Sequence, residues 1–103
     1  IETVSLDTSL ALKTREADTL FNNGNYTKAY ALYGEILEFQ KDNLVVRFRR
    51  IFSLFNINRL DSGAYTEILR ECSILRKNGF TDEKLDEMER FIKGEQGGGR
   101  SAD

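Results

Sequence analysis

The sequence of 103 residues contains no proline, no histidine and no tryptophan, and it has only one cysteine. Proline ends helices and punctuates loops, so its complete absence favours helices joined by short connections. Hydrophobic residues make up 40% of the chain and charged residues 31%, which is the balance of a folded domain rather than of a disordered segment. The length is that of one domain, large enough to bury a core without disulfides or metal.

The missing residue types also bear on catalysis. The chain has no histidine, and it lacks the HExxH, Walker, GxSxG and paired-cysteine motifs. Its single thiol, Cys72, falls on an apolar helix face, where a buried structural role is expected. We therefore expect no enzymatic activity, no catalytic residues, no bound metal and no cofactor.

A single cysteine cannot form a disulfide within the chain, whereas a small secreted domain usually carries several. We therefore expect the cytoplasm or another reducing intracellular compartment. No apolar run approaches the roughly 20 residues of a membrane-spanning helix, so no membrane span is expected. The chain begins at Ile1 without an initiator methionine or a signal peptide, and we expect it to be a piece of a longer protein.

Apolar residues recur at helical spacing in five segments, which predicts an all-α fold of about five helices in an antiparallel helix-turn-helix stack. The third segment begins near Leu44 and is apolar on nearly every side, so we expect it to lie between neighbouring helices. Its β-branched and aromatic residues leave a strand open as an alternative for residues 44–48. We divide the chain into a lead-in segment (1–8), a helical domain (9–93) and a flexible glycine-rich tail or linker (94–103).

The turn between the first two helices has a clear physical basis. Gly24 can adopt the left-handed conformation that closes a helix. Ala17 and Ala29 are small residues at the expected contact between the two helices. The pattern predicts a first helix from about residue 9 and a second over about residues 26–40.

A period of 34 residues aligns Gly24 with Asn58 and Leu20 with Leu54. The first unit resembles the tetratricopeptide repeat (TPR) family through the residues Ala17, Leu20, Phe21, Gly24, Asn25, Tyr26, Ala29, Tyr33, Ile36 and Leu37. The second unit is degenerate, because Asn58 stands where the family has glycine. The resemblance implies a TPR-like superhelix with repeat 1 at about 10–43, repeat 2 at about 44–78 and a capping helix at about 81–93.

In the TPR family, the leading helix of each unit lines a groove that binds a segment of a partner protein. The resemblance therefore implies an adaptor or scaffold domain, and mapping the groove onto this chain gives Arg15, Asp18, Asn22, Phe48, Arg49, Phe52 and Asn56. This aromatic and basic surface suits a partner segment with apolar anchors and an acidic residue. Packing between helices is the alternative role of the aromatic side chains.

One TPR subclass clamps the acidic C-terminal tails of chaperones, and such a clamp would require a basic residue at position 14 and asparagine at positions 18 and 49. The chain has Thr14, Asp18 and Arg49 instead, and Asp18 would repel a carboxylate. We therefore do not expect a chaperone tail as the partner.

Two other functions remain open. Two repeat units are few for a stable array, so the aromatic residues of the third helix would be buried against another copy if the chain forms a homo-oligomer.

The segment from Arg47 to Arg50 is basic and contains an aromatic residue, which is typical of some RNA contacts. Nucleic acid is the less favoured partner because the chain carries a net charge of −2. We instead expect Arg50 to face Glu16, and the stem of Arg47 to cover apolar surface.

Overall fold

The computed structural model of the protein describes residues 6–57 and 62–101. These residues form five α-helices, in the order α1 (Leu6–Asn22), α2 (Tyr26–Leu37), α3 (Leu44–Ile57), α4 (Ser62–Lys77) and α5 (Glu83–Ser101). The described ranges contain no strand, so the predicted all-α fold is confirmed. The strand alternative for residues 44–48 is wrong, because these residues lie in α3.

Three helix bounds differ from the sequence prediction. The first helix begins at Leu6, inside the predicted lead-in segment, and α2 ends at Leu37 rather than at about residue 40. The fifth helix continues to Ser101, so residues 94–101 are helical where we predicted a flexible tail. The other residues of both predicted terminal segments lie outside the described ranges.

Two turns between helices share one backbone geometry. Gly24 follows α1 with a φ of +82°, and Gly79 follows α4 with a φ of +86°. In the first turn the N–H of Asn25 donates to the carbonyl of Leu20 over 2.8 Å, and the equivalent bond after Gly79 measures 2.9 Å. This is the Schellman closure, which favours glycine because a Cβ is strained at positive φ. The prediction for Gly24 is confirmed.

Two helix pairs show their antiparallel direction through polar contacts. Between α1 and α2, Lys13 pairs with Glu35 and Asp18 meets Tyr33, and between α3 and α4, Arg47 pairs with Glu71 and Arg50 with Glu67. In the resulting stack α1 packs on α2, α2 on α3 and α3 on α4, while α5 packs against both α3 and α4.

The buried side chains form two clusters. The smaller cluster joins α1, α2 and the start of α3, and includes Ala17, Ala29 and Tyr33. Both alanines are completely buried, as we expected for small residues at the α1–α2 contact. The larger cluster joins α3, α4 and α5, and its largest fully buried apolar side chains are Ile51, Ile68, Leu75, Leu85, Met88 and Ile92.

The third helix lies between α2 on one side and α4 with α5 on the other, which explains why its sequence is apolar on nearly every side. Its one fully buried polar side chain, Ser53, donates its hydroxyl to the carbonyl of Arg49 over 2.7 Å. None of the described helices is long and apolar enough to cross a membrane.

Cys72 belongs to the larger cluster and is fully buried. Burial raises the pKa of its thiol to about 12, and the negative charge of Glu89 on α5 acts in the same direction. The thiol therefore keeps its proton at neutral pH, and it lacks the thiolate character that a nucleophile needs. This agrees with the structural role predicted from the sequence.

Replacing Gly24 by alanine should destabilise the domain by about 1–2 kcal/mol, because an L side chain is strained at this left-handed φ. Crowding is not the cause, since no atom lies within 4 Å of a Cβ placed there. The matched control is Gly94→Ala, which also has open space but lies within α5, where alanine favours the helix by about 1 kcal/mol. Urea unfolding measures both changes, and equal effects would contradict the left-handed turn.

Candidate functional site

Asp18 connects the first three helices. Its Oδ1 atom accepts a hydrogen bond of 2.5 Å from the hydroxyl of Tyr33 on α2. The same oxygen forms an ion pair of 2.8 Å with Nη1 of Arg49 on α3. The carboxylate of α1 thus fixes the position of α1 against both following helices.

The Asp18 carboxylate also changes the ionisation of Tyr33 and Arg49. Burial raises the pKa of the Tyr33 hydroxyl above its ordinary value, and its hydrogen bond to the Asp18 carboxylate raises the pKa further. Burial alone lowers the pKa of Arg49, but the hydrogen bond and charge of Asp18 outweigh burial, and the net shift is upward. At neutral pH, Tyr33 is therefore neutral and Arg49 is charged. Arg49 neutralises the charge of Asp18 within the chain.

Eight aromatic rings form a continuous series of ring contacts that begins beside Asp18 and Arg49. We call this series the aromatic row, and it consists of Phe21, Tyr26, Tyr33, Phe48, Phe52, Phe55, Phe80 and Phe91. Phe52 is its centre and contacts four of the other rings, with centroid distances of 5.8 Å to Phe21 and 6.5 Å to Phe55. Such distances are those of favourable aromatic pairs.

The rings of the row differ in exposure. Phe48 exposes only 8% of its surface and Phe55 only 6%, so both belong to the larger core cluster. Phe52, Phe21 and Tyr26 are partly exposed. Phe48, which we predicted to line the groove, is therefore a core residue that packs on Phe52 and on the loop before α5. The alternative of packing between helices holds for Phe48, whereas Phe52 reaches the surface.

The other predicted groove residues lie on one side of α1 and one side of α3. Arg15, Asp18 and Asn22 are spaced three and four residues apart on α1, and Arg49, Phe52 and Asn56 have the same spacing on α3, so each set shares a helix face. We call this surface the α1/α3 face, and it comprises Arg15, Asp18, Phe21, Asn22, Arg49, Phe52 and Asn56.

Contacts join the two halves of the α1/α3 face at two points. One is the Asp18–Arg49 ion pair, and the other is the pair of rings formed by Phe21 and Phe52. The guanidinium carbon of Arg49 lies 6.0 Å from the centroid of Phe21, within range of a cation–π contact.

The remaining predicted groove residues lie around this centre. The amide nitrogen of Asn56 donates to the carbonyl of Phe52 over 2.8 Å, which holds the amide against α3. Arg15 and Asn22 are exposed on α1.

The other two arginines of α3 point to α4. Arg47 donates through Nη1 to Glu71 over 2.8 Å and through Nε to the carbonyl of Lys41 over 2.8 Å. Arg50 forms an ion pair with Glu67 at 3.0 Å. Our expectation that Arg50 faces Glu16 is therefore wrong. Helical periodicity gave the face of α3 that carries Arg50, but it did not identify the neighbouring helix on that side.

Sequence reasoning did not include Phe21, Tyr26 or Tyr33 among the site residues. The register of the α1–α2 hairpin could have identified them, because it determines which residues of α1 and α2 meet. The Gly24 turn folds α2 back on α1, so Phe21, three residues before Gly24, meets Tyr26, and Asp18, one turn earlier on α1, meets Tyr33 further along α2. The rings then extend the aromatic surface from α3 to α1.

Comparisons with known proteins identify no relative of this chain. No protein-family model matches the sequence, and neither a curated protein nor a solved structure matches it. The site is therefore interpreted from its own contacts and charges.

Removing the Tyr33 hydroxyl by Tyr33→Phe should cost about 1 kcal/mol of stability at pH 7, the value of one hydrogen bond. An unfolded tyrosine ionises near pH 10, whereas the folded hydroxyl keeps its proton to higher pH. The hydroxyl therefore stabilises the fold below about pH 10 and loses this effect as the pH rises further.

Urea unfolding of both proteins between about pH 7 and 11 measures the difference, which should shrink above about pH 10. Ionisation of Cys72 occurs in both proteins and cancels in the comparison. A difference that stays constant over the whole range would contradict the role given to the Tyr33 hydroxyl.

Proposed function

We propose that this chain is a TPR-like protein-interaction domain, an adaptor or scaffold module that binds a peptide segment of a partner protein on the α1/α3 face. The observation that carries the proposal is the position of Phe52. This large aromatic side chain lies at the centre of the aromatic row and remains partly exposed. Partly exposed aromatic residues surrounded by polar groups are typical of protein-binding surfaces.

The resemblance to the TPR family supports the same proposal. In the first unit, Gly24 closes α1 and the small residues Ala17 and Ala29 lie at the contact of α1 with α2, as the family pattern requires. The support is limited to this unit, because Asn58 lies outside the described residues.

The charges of the face indicate the chemistry of the partner. Asp18 and Arg49 neutralise each other, so Arg15 supplies the net charge of the face, and the Asn22 amide adds exposed donors and an acceptor. A matching segment has an apolar or aromatic anchor for the surface around Phe52 and an acidic residue toward Arg15.

The pairing of the arginines favours a peptide over RNA. Arg47, Arg49 and Arg50 each form an ion pair with a carboxylate of the chain, on α4, α1 and α4 respectively. Binding of an RNA backbone requires several unneutralised cations along its length, which these paired arginines do not supply.

Selection from a random peptide display library on the immobilised domain tests the proposal. We expect enrichment of peptides with an aromatic or large apolar residue near an acidic one. Phe52→Leu keeps apolar packing but removes the ring, and it should weaken the selected peptides by about tenfold or more, as for a binding hot spot. Fluorescence polarisation with labelled peptides gives the affinities.

Phe39→Leu is the matched control, because Phe39 is 59% exposed but lies outside the aromatic row, and this variant should bind like the wild type. Arg15→Glu tests the same face without touching the core. Unchanged affinity in both Phe52→Leu and Arg15→Glu would overturn the proposed site. A molar mass that rises with concentration in the wild type but not in Phe52→Leu would favour self-association instead.

A further inference from the structure

A cleft of about 310 Å³ lies on the side of α3 that faces α2 and α4, away from the α1/α3 face. The charged and glycine residues that line it are Gly34, Glu38, Lys41, Arg47, Arg50 and Glu71. We call it the α2/α3/α4 cleft. Its volume is at the lower end of the range for small-ligand sites. Three of its lining side chains are cationic, and two are carboxylates.

The ion pairs of this region leave several donors unused. Arg50 donates Nη2 to the hydroxyl of Tyr30 over 3.0 Å and pairs Nη1 with Glu67, but its Nε–H meets no acceptor among the described residues. Arg47 uses Nε and Nη1, which leaves the two hydrogens of Nη2. The ammonium group of Lys41 likewise has no partner in the described part of the chain. These donors belong to three different side chains of one cleft.

Gly34 is a second and independent observation. It lies within α2, where glycine weakens a helix relative to alanine. A Cβ at this position would meet only Nε of Arg50, at 3.7 Å, which is an ordinary contact, and the φ of Gly34 is not in the left-handed region. Neither space nor backbone conformation therefore requires this glycine. Gly34 and Arg50 both line the cleft, and Nε of Arg50 is the atom nearest to the missing Cβ, as expected where a ligand approaches the backbone closely.

The unused N–H groups of the cleft favour a ligand with several acceptor oxygens. Glu71 is bound to Arg47 and Glu67 to Arg50, and the exposed charges of Lys41 and Glu38 balance each other, so the selectivity of the cleft comes from these donors and not from net charge. A phosphate group offers more acceptor oxygens than a carboxylate and pairs well with guanidinium groups.

We propose that the α2/α3/α4 cleft binds a phosphate group through the unused donors of Arg47 and Arg50 and the ammonium group of Lys41. The group comes either as free phosphate or as a phosphorylated serine of a partner, because both present the same oxygens. This site is independent of the peptide site on the α1/α3 face.

Titration of the ¹⁵N-labelled chain with inorganic phosphate at constant ionic strength tests the proposal. We expect saturable shifts of the backbone amide signals of Gly34, Lys41 and Arg47. A parallel titration with O-phosphoserine shows whether the site prefers a phosphate ester or the free ion. A titration with acetate shows whether a carboxylate binds as well as a phosphate. Tighter binding of phosphoserine identifies the esterified form, whereas equal or tighter binding of free phosphate identifies the ion.

Variants that remove one charge test whether each side chain strengthens or weakens phosphate binding. Lys41→Gln should weaken phosphate binding by about tenfold, as expected for one lost charge-assisted hydrogen bond. Lys28→Gln removes the same charge from an exposed lysine of α2 outside the cleft and should leave the affinity unchanged. Glu38→Gln removes a negative charge from the cleft and should strengthen binding.

Gly34→Ala separates binding from stability. Alanine should raise the melting temperature by about 4–8 °C, because it favours the helix, and should weaken phosphate binding by covering the Nε–H of Arg50. Three results would overturn the proposal: acetate binding as tightly as phosphate, equal losses in Lys41→Gln and Lys28→Gln, or shifts spread over exposed lysines without saturation. Unchanged phosphate affinity in Gly34→Ala would also count against it, because the glycine would then have no part in the site.

Discussion

The structure depends on how the charges of α3 are neutralised. This helix packs against α2, α4 and α5, yet it carries three arginines within four consecutive positions. Partly buried charges are costly unless a carboxylate pairs with them, and here Asp18, Glu67 and Glu71 supply the pairs. Because two of these carboxylates lie on α4 and one on α1, the pairs fix the register of α3 on both sides at once. These pairs and the apolar contacts of α3 are satisfied in the same arrangement of helices.

The same arrangement gives α3 two surfaces of different chemistry. Toward α1 it presents Phe52 and Arg49, where an aromatic ring lies beside a neutralised ion pair. Toward α2 and α4 it presents Arg47 and Arg50. Their ion pairs leave some of their N–H groups without an acceptor among the described residues. One side is therefore aromatic with its charges neutralised, and the other carries N–H donors beyond those used in its ion pairs. The separation follows from helical periodicity, since neighbouring residues of one helix point in different directions.

The sequence was sufficient to predict the helices but not the site. Helical periodicity located all five helices, and Gly24 identified the first turn because few residues accept a left-handed conformation. The partners of the arginines could not be predicted, since periodicity shows which face a side chain occupies but not which helix packs there, and Arg50 therefore meets Glu67 rather than Glu16. Phe48 and Phe52 differ by one helical turn, and Phe48 is buried in the larger core cluster with Phe80 of the loop before α5 packed on it, whereas Phe52 stays partly exposed, a difference that periodicity alone does not reveal.

The order of the helices has a kinetic consequence. Each of α2, α3 and α4 packs on the helix that precedes it in the chain, so most of the fold forms between segments that are close in sequence. The entropy lost on closing short connections is small, and a topology of this kind folds rapidly. The chain also has no peptide bond to proline, so no slow cis–trans step delays the process. The hairpin of α1 and α2, closed at Gly24, is a unit that can form first and present its face to α3.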